Sequence, residues 1–265
     1  MSTHIKERLH ILGEVRKSFK NEAAKRLKKN LYADMAGPKS KKPSALSKLY
    51  LASYNLGQTL GWSYILYQII QHYINPSRNT LWDKTQLPVI VFQNAAVLEI
   101  IHAAIGLVPS NVIITTFQVF SRVMVVVGVI LATPYTYAAA SPGLPLALIA
   151  WSITEIIRYF YYFANIINIM PHILIWLRYT TFIVLYPIGV TGELLCFYAA
   201  VQYSNANPDS WSYILPNKWN FTFSYLYILI AVMLGYIPIF PHLYLHMFAQ
   251  RRKMLNPSAT AKKVH

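Results

Sequence analysis

Leu185-Tyr186-Pro187-Ile188-Gly189-Val190-Thr191-Gly192-Glu193 places a phenol and an acid seven residues apart, inside an apolar run long enough to cross a bilayer. A carboxylate in that setting costs roughly 2.5–3.5 kcal/mol on insertion scales, which makes it a functional-site residue by default. Seven residues are about 700° of helix, so Tyr186 and Glu193 project within roughly 20° of each other, about 10.5 Å apart along the axis. Gly189 falls on the same stripe and leaves room where a side chain would stand. Pro187 removes one helix hydrogen bond and can bend the segment. No Lys, Arg or His lies three or four positions from Glu193 to pair with it. A carboxylate and a tyrosine hydroxyl are two proton-transfer groups, suited to taking one proton and delivering another.

The elements that must carry this pair are membrane spans. Six apolar runs reach the length of about 20 residues that a span needs: 49–70, 88–107, 111–131, 144–165, 173–200 and 221–247. Turn-forming stretches separate them, among them Asn75-Pro76-Ser77-Arg78-Asn79, Val108-Pro109-Ser110-Asn111, Ser141-Pro142-Gly143 and Met170-Pro171-His172. The expected fold is an all-α integral membrane protein, a six-transmembrane-helix bundle.

Other polar side chains inside these runs must face one another rather than lipid. Asn55, Gln58 and Trp62 share a face of the first span, and Asn94 and His102 share one of the second, with Glu99 beside His102. Gln118, Ser121 and Arg122 mark the third span. Trp151, Thr154, Glu155, Arg158 and Tyr162 form one stripe of the fourth. Glu155 and Arg158, three apart, read as a pair that neutralises itself within one helix. Arg122 requires an anion, which Glu99 or a substrate phosphate could supply. His102 reads as a hydrogen-bonded core residue, and no His or carboxylate cluster has metal-ligand spacing.

Charge locates the ends. The chain is 55% hydrophobic and 12% charged, yet its net charge is +15. Residues 1–48 hold thirteen Lys/Arg against four acids, and 248–265 hold five Lys/Arg and no acid. Basic ends on an apolar body exclude a nucleic-acid binder. With six spans they place both termini in the cytosol by the positive-inside rule. The organisation that follows is a basic arm over 1–48, a catalytic membrane domain over 49–247 and a basic tail over 248–265. Ile5, Leu9, Leu12, Val15 and Phe19 recur at helical spacing, so 4–35 reads as an amphipathic helix for an anionic leaflet or as a solvated arm. Residues 37–47 read as a linker. No signal peptide is evident, which leaves the first span as the targeting signal. The single cysteine, Cys196, excludes an intrachain disulfide. Lys262 and Lys263, fourth and third from the end, resemble a dilysine retrieval signal of the endoplasmic reticulum.

Several motifs, in order, carry a wider resemblance. They are Leu49-Tyr50-Leu51 with Tyr54-Asn55 and Gly61-Trp62; Leu98-Glu99-Ile100-Ile101-His102 with Gly106-Leu107-Val108; and Gln118-Val119 with Ser121-Arg122. Trp151 through Tyr159, Leu185 through Glu193, and Gln250-Arg251-Arg252-Lys253 complete the set. With these the chain resembles the very-long-chain (3R)-3-hydroxyacyl-CoA dehydratases, the protein tyrosine phosphatase-like proteins. The basic arm lies outside the match.

The resemblance implies an endoplasmic-reticulum lyase that removes water from (3R)-3-hydroxyacyl-CoA in the third step of fatty-acid elongation. It implies Tyr186 and Glu193 as the catalytic pair, with no metal and no redox cofactor required. Gly189, Arg122, Arg158, Glu99 and His102 are expected to support the site. The expected partners are the acyl-CoA substrate, the bilayer, the elongase condensing enzyme and the two reductases of the cycle. Either residue of the pair could be the base. Cys196 is followed by Phe-Tyr-Ala-Ala-Val-Gln with no arginine, so thiol phosphatase chemistry has nothing to run on. The acyl tail would extend between spans while the CoA phosphates stay at the cytosolic face, where Arg251, Arg252 and Lys253 could attract them. An inactive scaffold of the elongation complex and a proton-coupled transporter are the competing readings. The intact pair argues against the scaffold, and the lack of repeated halves argues against the transporter.

Overall fold

The computed structural model describes residues 44–213, 215–216 and 218–255. The amphipathic arm expected over 4–35, most of the linker and the Lys262-Lys263 end lie outside the described residues. Eight α-helices are present among those described: α1 (Ala45–Ile74), α2 (Leu81–Ala95), α3 (Val97–Ala104), α4 (Val112–Val125), α5 (Gly143–Ile166), α6 (His172–Arg178), α7 (Phe182–Ala206) and α8 (Tyr225–Leu255). The one β interaction among the described residues is an isolated antiparallel bridge between Tyr213 and Phe223.

Five helical stretches are long and apolar enough to cross a membrane: Leu81–Ala104, Val112–Ile130, Gly143–Ile166, His172–Ala206 and Tyr225–Arg252. This is a multi-pass membrane architecture. The expected first span falls on α1, whose 30 residues are long enough to cross. Its polar residues, with Asn55, Gln58 and Thr59 buried, keep it out of that apolar set.

Two expected boundaries are corrected. The second span begins at Leu81 rather than 88. Thr80 and Asp83 form a reciprocal capping box, with Asp83 N–H donating to Thr80 Oγ1 at 3.1 Å and Thr80 N–H donating to Asp83 Oδ2 at 2.8 Å. The fifth apolar run is not one helix, because Tyr179–Thr181 interrupts it between α6 and α7.

Residues 98–118 belong to a different compact unit from 44–97 and 119–255. Within it α3 ends in a Schellman motif. Gly106 adopts φ 72°, Leu107 N–H donates to the His102 carbonyl at 2.9 Å, and Gly106 N–H donates to that of Ala103 at 3.1 Å. Asn111 then accepts from Ile114 N–H at 3.1 Å through its side chain, opening α4.

The second unit, 44–97 with 119–255, carries the main core, including Trp62, Ile65, Trp82, Leu144, Leu148 and Phe197. α1 packs on α2 and α5. Tyr54 donates to the Ala95 carbonyl at 3.2 Å, and its ring meets Tyr159 edge-on at 6.0 Å. α5 and α7 meet along small residues: Gly143, Ala147 and Ala150 face Gly189, Gly192 and Cys196. A Cβ added to Gly192 would stand 2.7 Å from the Gly143 carbonyl and 3.0 Å from Ala147 Cα, so only glycine permits this approach. Small residues on facing helices let backbones touch, which is how helices associate where lipid removes the hydrophobic drive.

α8 runs antiparallel to α7. Phe182 meets Phe248 at 5.1 Å, Tyr186 meets Phe240 at 5.2 Å, and Phe197 meets Tyr236 at 6.0 Å. Carbonyls released where α4 widens into the π-helical turn Val126–Ile130 find donors nearby. Tyr225 donates to Gly128 O at 2.5 Å and Trp211 to Ala132 O at 2.7 Å.

Candidate functional site

The tight α5–α7 seam sets the site. Trp151 follows Ala150 on α5, and Glu193 follows Gly192 on α7, so both side chains stand next to residues of the seam. Trp151 Nε1–H donates to Glu193 Oε1 at 2.8 Å. The other oxygen, Oε2, accepts from the Tyr236 hydroxyl of α8 at 2.6 Å. Glu193 is 7% exposed and Trp151 2%. Two neutral donors from two different helices thus hold a buried carboxylate. Cys196, one turn further along α7, is fully buried against α5.

Tyr186 lies on α7 toward the other end of the segment. Its ring stacks on Phe240 at 5.2 Å and on Tyr244 at 5.9 Å, with interplanar angles of 9° and 4°. Pro187 explains why Tyr244 is there. A proline N lacks its hydrogen, so the carbonyl four residues back, that of Ile183, has no helical donor. The Tyr244 hydroxyl donates to Ile183 O at 2.9 Å. An orphaned carbonyl thereby anchors an aromatic ring beside Tyr186. The Tyr186 hydroxyl itself has no hydrogen-bond partner among the described residues.

A charged cluster flanks the pair. Glu155 of α5 is 1% exposed and bonds two arginines. Arg158 Nε–H donates to its Oε2 at 2.7 Å, and Arg122 Nη1–H donates to its Oε1. Arg158 also donates to the Tyr159 hydroxyl at 2.9 Å and lies over that ring. The Arg122 guanidinium sits 5.9 Å from the Trp151 ring centroid. The Glu155–Arg158 pair is as expected. Glu155 supplies Arg122 with an anion that the spacing of residues did not point to.

The expected site residues therefore divide. Tyr186, Glu193, Gly189, Arg122 and Arg158 all lie in the larger unit, while Glu99 and His102 lie in the 98–118 unit, where His102 is buried. Gly189 is corrected in one respect. A Cβ there would stand 3.3 Å from that of Ala150, so the expected gap is filled by α5, and the glycine serves close packing. Sequence reasoning missed Tyr236 and Tyr244. Their phenols, four residues either side of Phe240 in an apolar run, were the available signal.

The family described as protein tyrosine phosphatase-like protein, PTPLA, matches residues 93–257. The chain is 45% identical to mouse very-long-chain (3R)-3-hydroxyacyl-CoA dehydratase 2 over 85% of its own length and 88% of the relative's. It is 37% identical to mouse very-long-chain (3R)-3-hydroxyacyl-CoA dehydratase 1, covering 86% and 80% of the two chains. A Caenorhabditis elegans very-long-chain (3R)-3-hydroxyacyl-CoA dehydratase is 40% identical over 81% of this chain and 98% of its own. No solved structure matches.

Proposed function

The chain belongs to the protein tyrosine phosphatase-like (PTPLA) family, and from that premise we propose that it dehydrates (3R)-3-hydroxyacyl-CoA to trans-2-enoyl-CoA through Glu193 and Tyr186. The names of its relatives support the reaction. One observation carries the assignment of roles: both Glu193 oxygens accept from neutral donors, while the Tyr186 hydroxyl is unpartnered among the described residues.

Accepting from two donors suits the ionised form of Glu193, because a carboxylate is acceptor-only. Glu193 is then the base and Tyr186 the acid. Glu193 takes the C2 proton, and the C–H electrons become the C2–C3 double bond. The C3–O bond breaks with its pair, the leaving hydroxyl takes the Tyr186 proton, and water departs. Exchange with water restores both side chains. The reverse assignment needs Glu193 bonded to Tyr186, and the donors on Glu193 are instead Trp151 and Tyr236. A scaffold that has lost turnover has no use for an oriented buried acid beside an open phenol.

The same reading extends to topology and place. Counting α1, the protein crosses the endoplasmic-reticulum membrane six times, with the 1–48 arm and the 248–265 tail in the cytosol around the 49–247 catalytic domain. Tyr186 then lies nearer the cytosolic face than Glu193. The condensing enzyme and the two reductases of the elongation cycle are its partners.

Full-length protein purified in detergent and given a synthetic long-chain (3R)-3-hydroxyacyl-CoA tests the activity, because only an enzyme makes enoyl-CoA unaided. Absence of product overturns the function. Full activity in Tyr186→Phe or Glu193→Gln overturns the assignment of the pair.

A further inference from the structure

The two donors on Glu193 differ in what they can do when the carboxylate gains a proton. An indole N–H can only donate, whereas a phenol hydroxyl can donate or accept. Trp151 is therefore committed to Oε1 throughout the cycle. Its ring is buried, and it stands on the α5–α7 seam, where backbone contacts leave no freedom to withdraw. Oε2 is left as the oxygen that takes the proton. Its partner, the Tyr236 hydroxyl, can turn about its C–O bond and receive the new O–H.

Resting on the reading of Glu193 as the base, we propose that Tyr236 is a positioning residue for the reaction. It donates to Oε2 of the carboxylate before the C2 proton is taken and accepts from the carboxylic acid afterwards. The geometry suits the task. The bond is 2.6 Å, the ordinary length for a hydroxyl on a carboxylate. The Tyr236 ring is held edge-on against buried Phe197 at 6.0 Å, one turn beyond Glu193 on the same helix. Along α8, Tyr236 stands four residues, about 6 Å of helix rise, before Phe240, the ring on which Tyr186 stacks. One face of α8 thus sets both members of the catalytic pair. It holds the acid's ring through Phe240 and the base's carboxylate through Tyr236.

The test is Tyr236→Phe in the full-length protein, which keeps the ring and removes the hydroxyl. Expected is a fall in kcat of about 10- to 100-fold with KM unchanged within about twofold. The primary isotope effect with substrate deuterated at C2 rises, because proton abstraction becomes slower relative to the other steps. A merely structural tyrosine would not move that isotope effect. Wild-type kcat in Tyr236→Phe overturns the proposal, as does a loss of activity with the isotope effect unchanged. Site-specific 3-fluorotyrosine at 236 covers the case of a poorly folded variant, since the ring fluorine changes the shape little and makes the hydroxyl a stronger donor and a weaker acceptor. A several-fold lower kcat with a raised isotope effect supports the proposal, and wild-type values for both overturn it. Glu193→Gln separates the two readings. If it is inactive while Tyr236→Phe is normal, the positioning role alone fails. If it is active, both fail.

Discussion

Among the described residues two glutamates are buried, on neighbouring helices, and they are treated oppositely. Glu155 on α5 is clasped by two guanidinium groups, Arg122 and Arg158. Glu193 on α7 is held by an indole and a phenol, both neutral. Cations fix an anion as an anion, and removing either side of a buried ion pair leaves an uncompensated charge. Neutral donors orient a carboxylate while leaving it free to change charge. The first arrangement suits structure, and the second suits the proton transfer proposed for Glu193. Trp151 lies between the two, with Arg122 over its ring and Glu193 at its N–H.

Exchanging each carboxyl for an amide tests that contrast most severely. Glu193→Gln should cost roughly a thousandfold in kcat, within the range of general acid–base catalysis, while the melting temperature in detergent stays near wild type. Glu155→Gln should do the reverse in kind, losing about 3 kcal/mol of stability because two arginines lose their anion. If thermal unfolding and turnover do not separate the two variants in this way, the contrast is wrong.

Next in size is Gly192→Val, whose side chain meets the Gly143 carbonyl and the Ala147 backbone. About 2–3 kcal/mol of stability should be lost through overpacking, with turnover lost as Trp151 and Glu193 separate. Trp151→Phe removes one donor from Oε1 and should lower kcat about tenfold, the equivalent of about 1.4 kcal/mol, with little change in KM. The smallest effect is expected from Tyr244→Phe, which strands the Ile183 carbonyl. It should cost about 1 kcal/mol in melting experiments and reduce turnover a few-fold by loosening the ring beside Tyr186.

What was legible in the sequence was local. Glu155 and Arg158 sit three apart on one helix, so their pairing follows from periodicity alone. The Tyr186–Glu193 stripe does too. Arg122 reaches Glu155 across 33 residues of chain, and Tyr236 reaches Glu193 across 43. No helical period encodes such contacts, because they depend on which faces of different helices meet. The filling of the Gly189 position by Ala150 is of the same kind. Hydropathy also blurred two boundaries. Asp83 and Lys84 diluted the start of the second span although the Thr80 capping box announced it. The apolar run after Pro171 read straight through the break at Tyr179–Thr181.

Because Gly143, Ala147 and Gly192 bring two backbones together, the reach from Trp151 to Glu193 is fixed by main chain and cannot be retuned by repacking side chains. The donor to the other oxygen stands on α8, where among the described residues only Tyr225 and Leu229 are buried. The carboxylate therefore sits in a vice with one fixed jaw and one sliding jaw. Whatever wedges α8 outward slackens the grip on Oε2 and leaves Oε1 held.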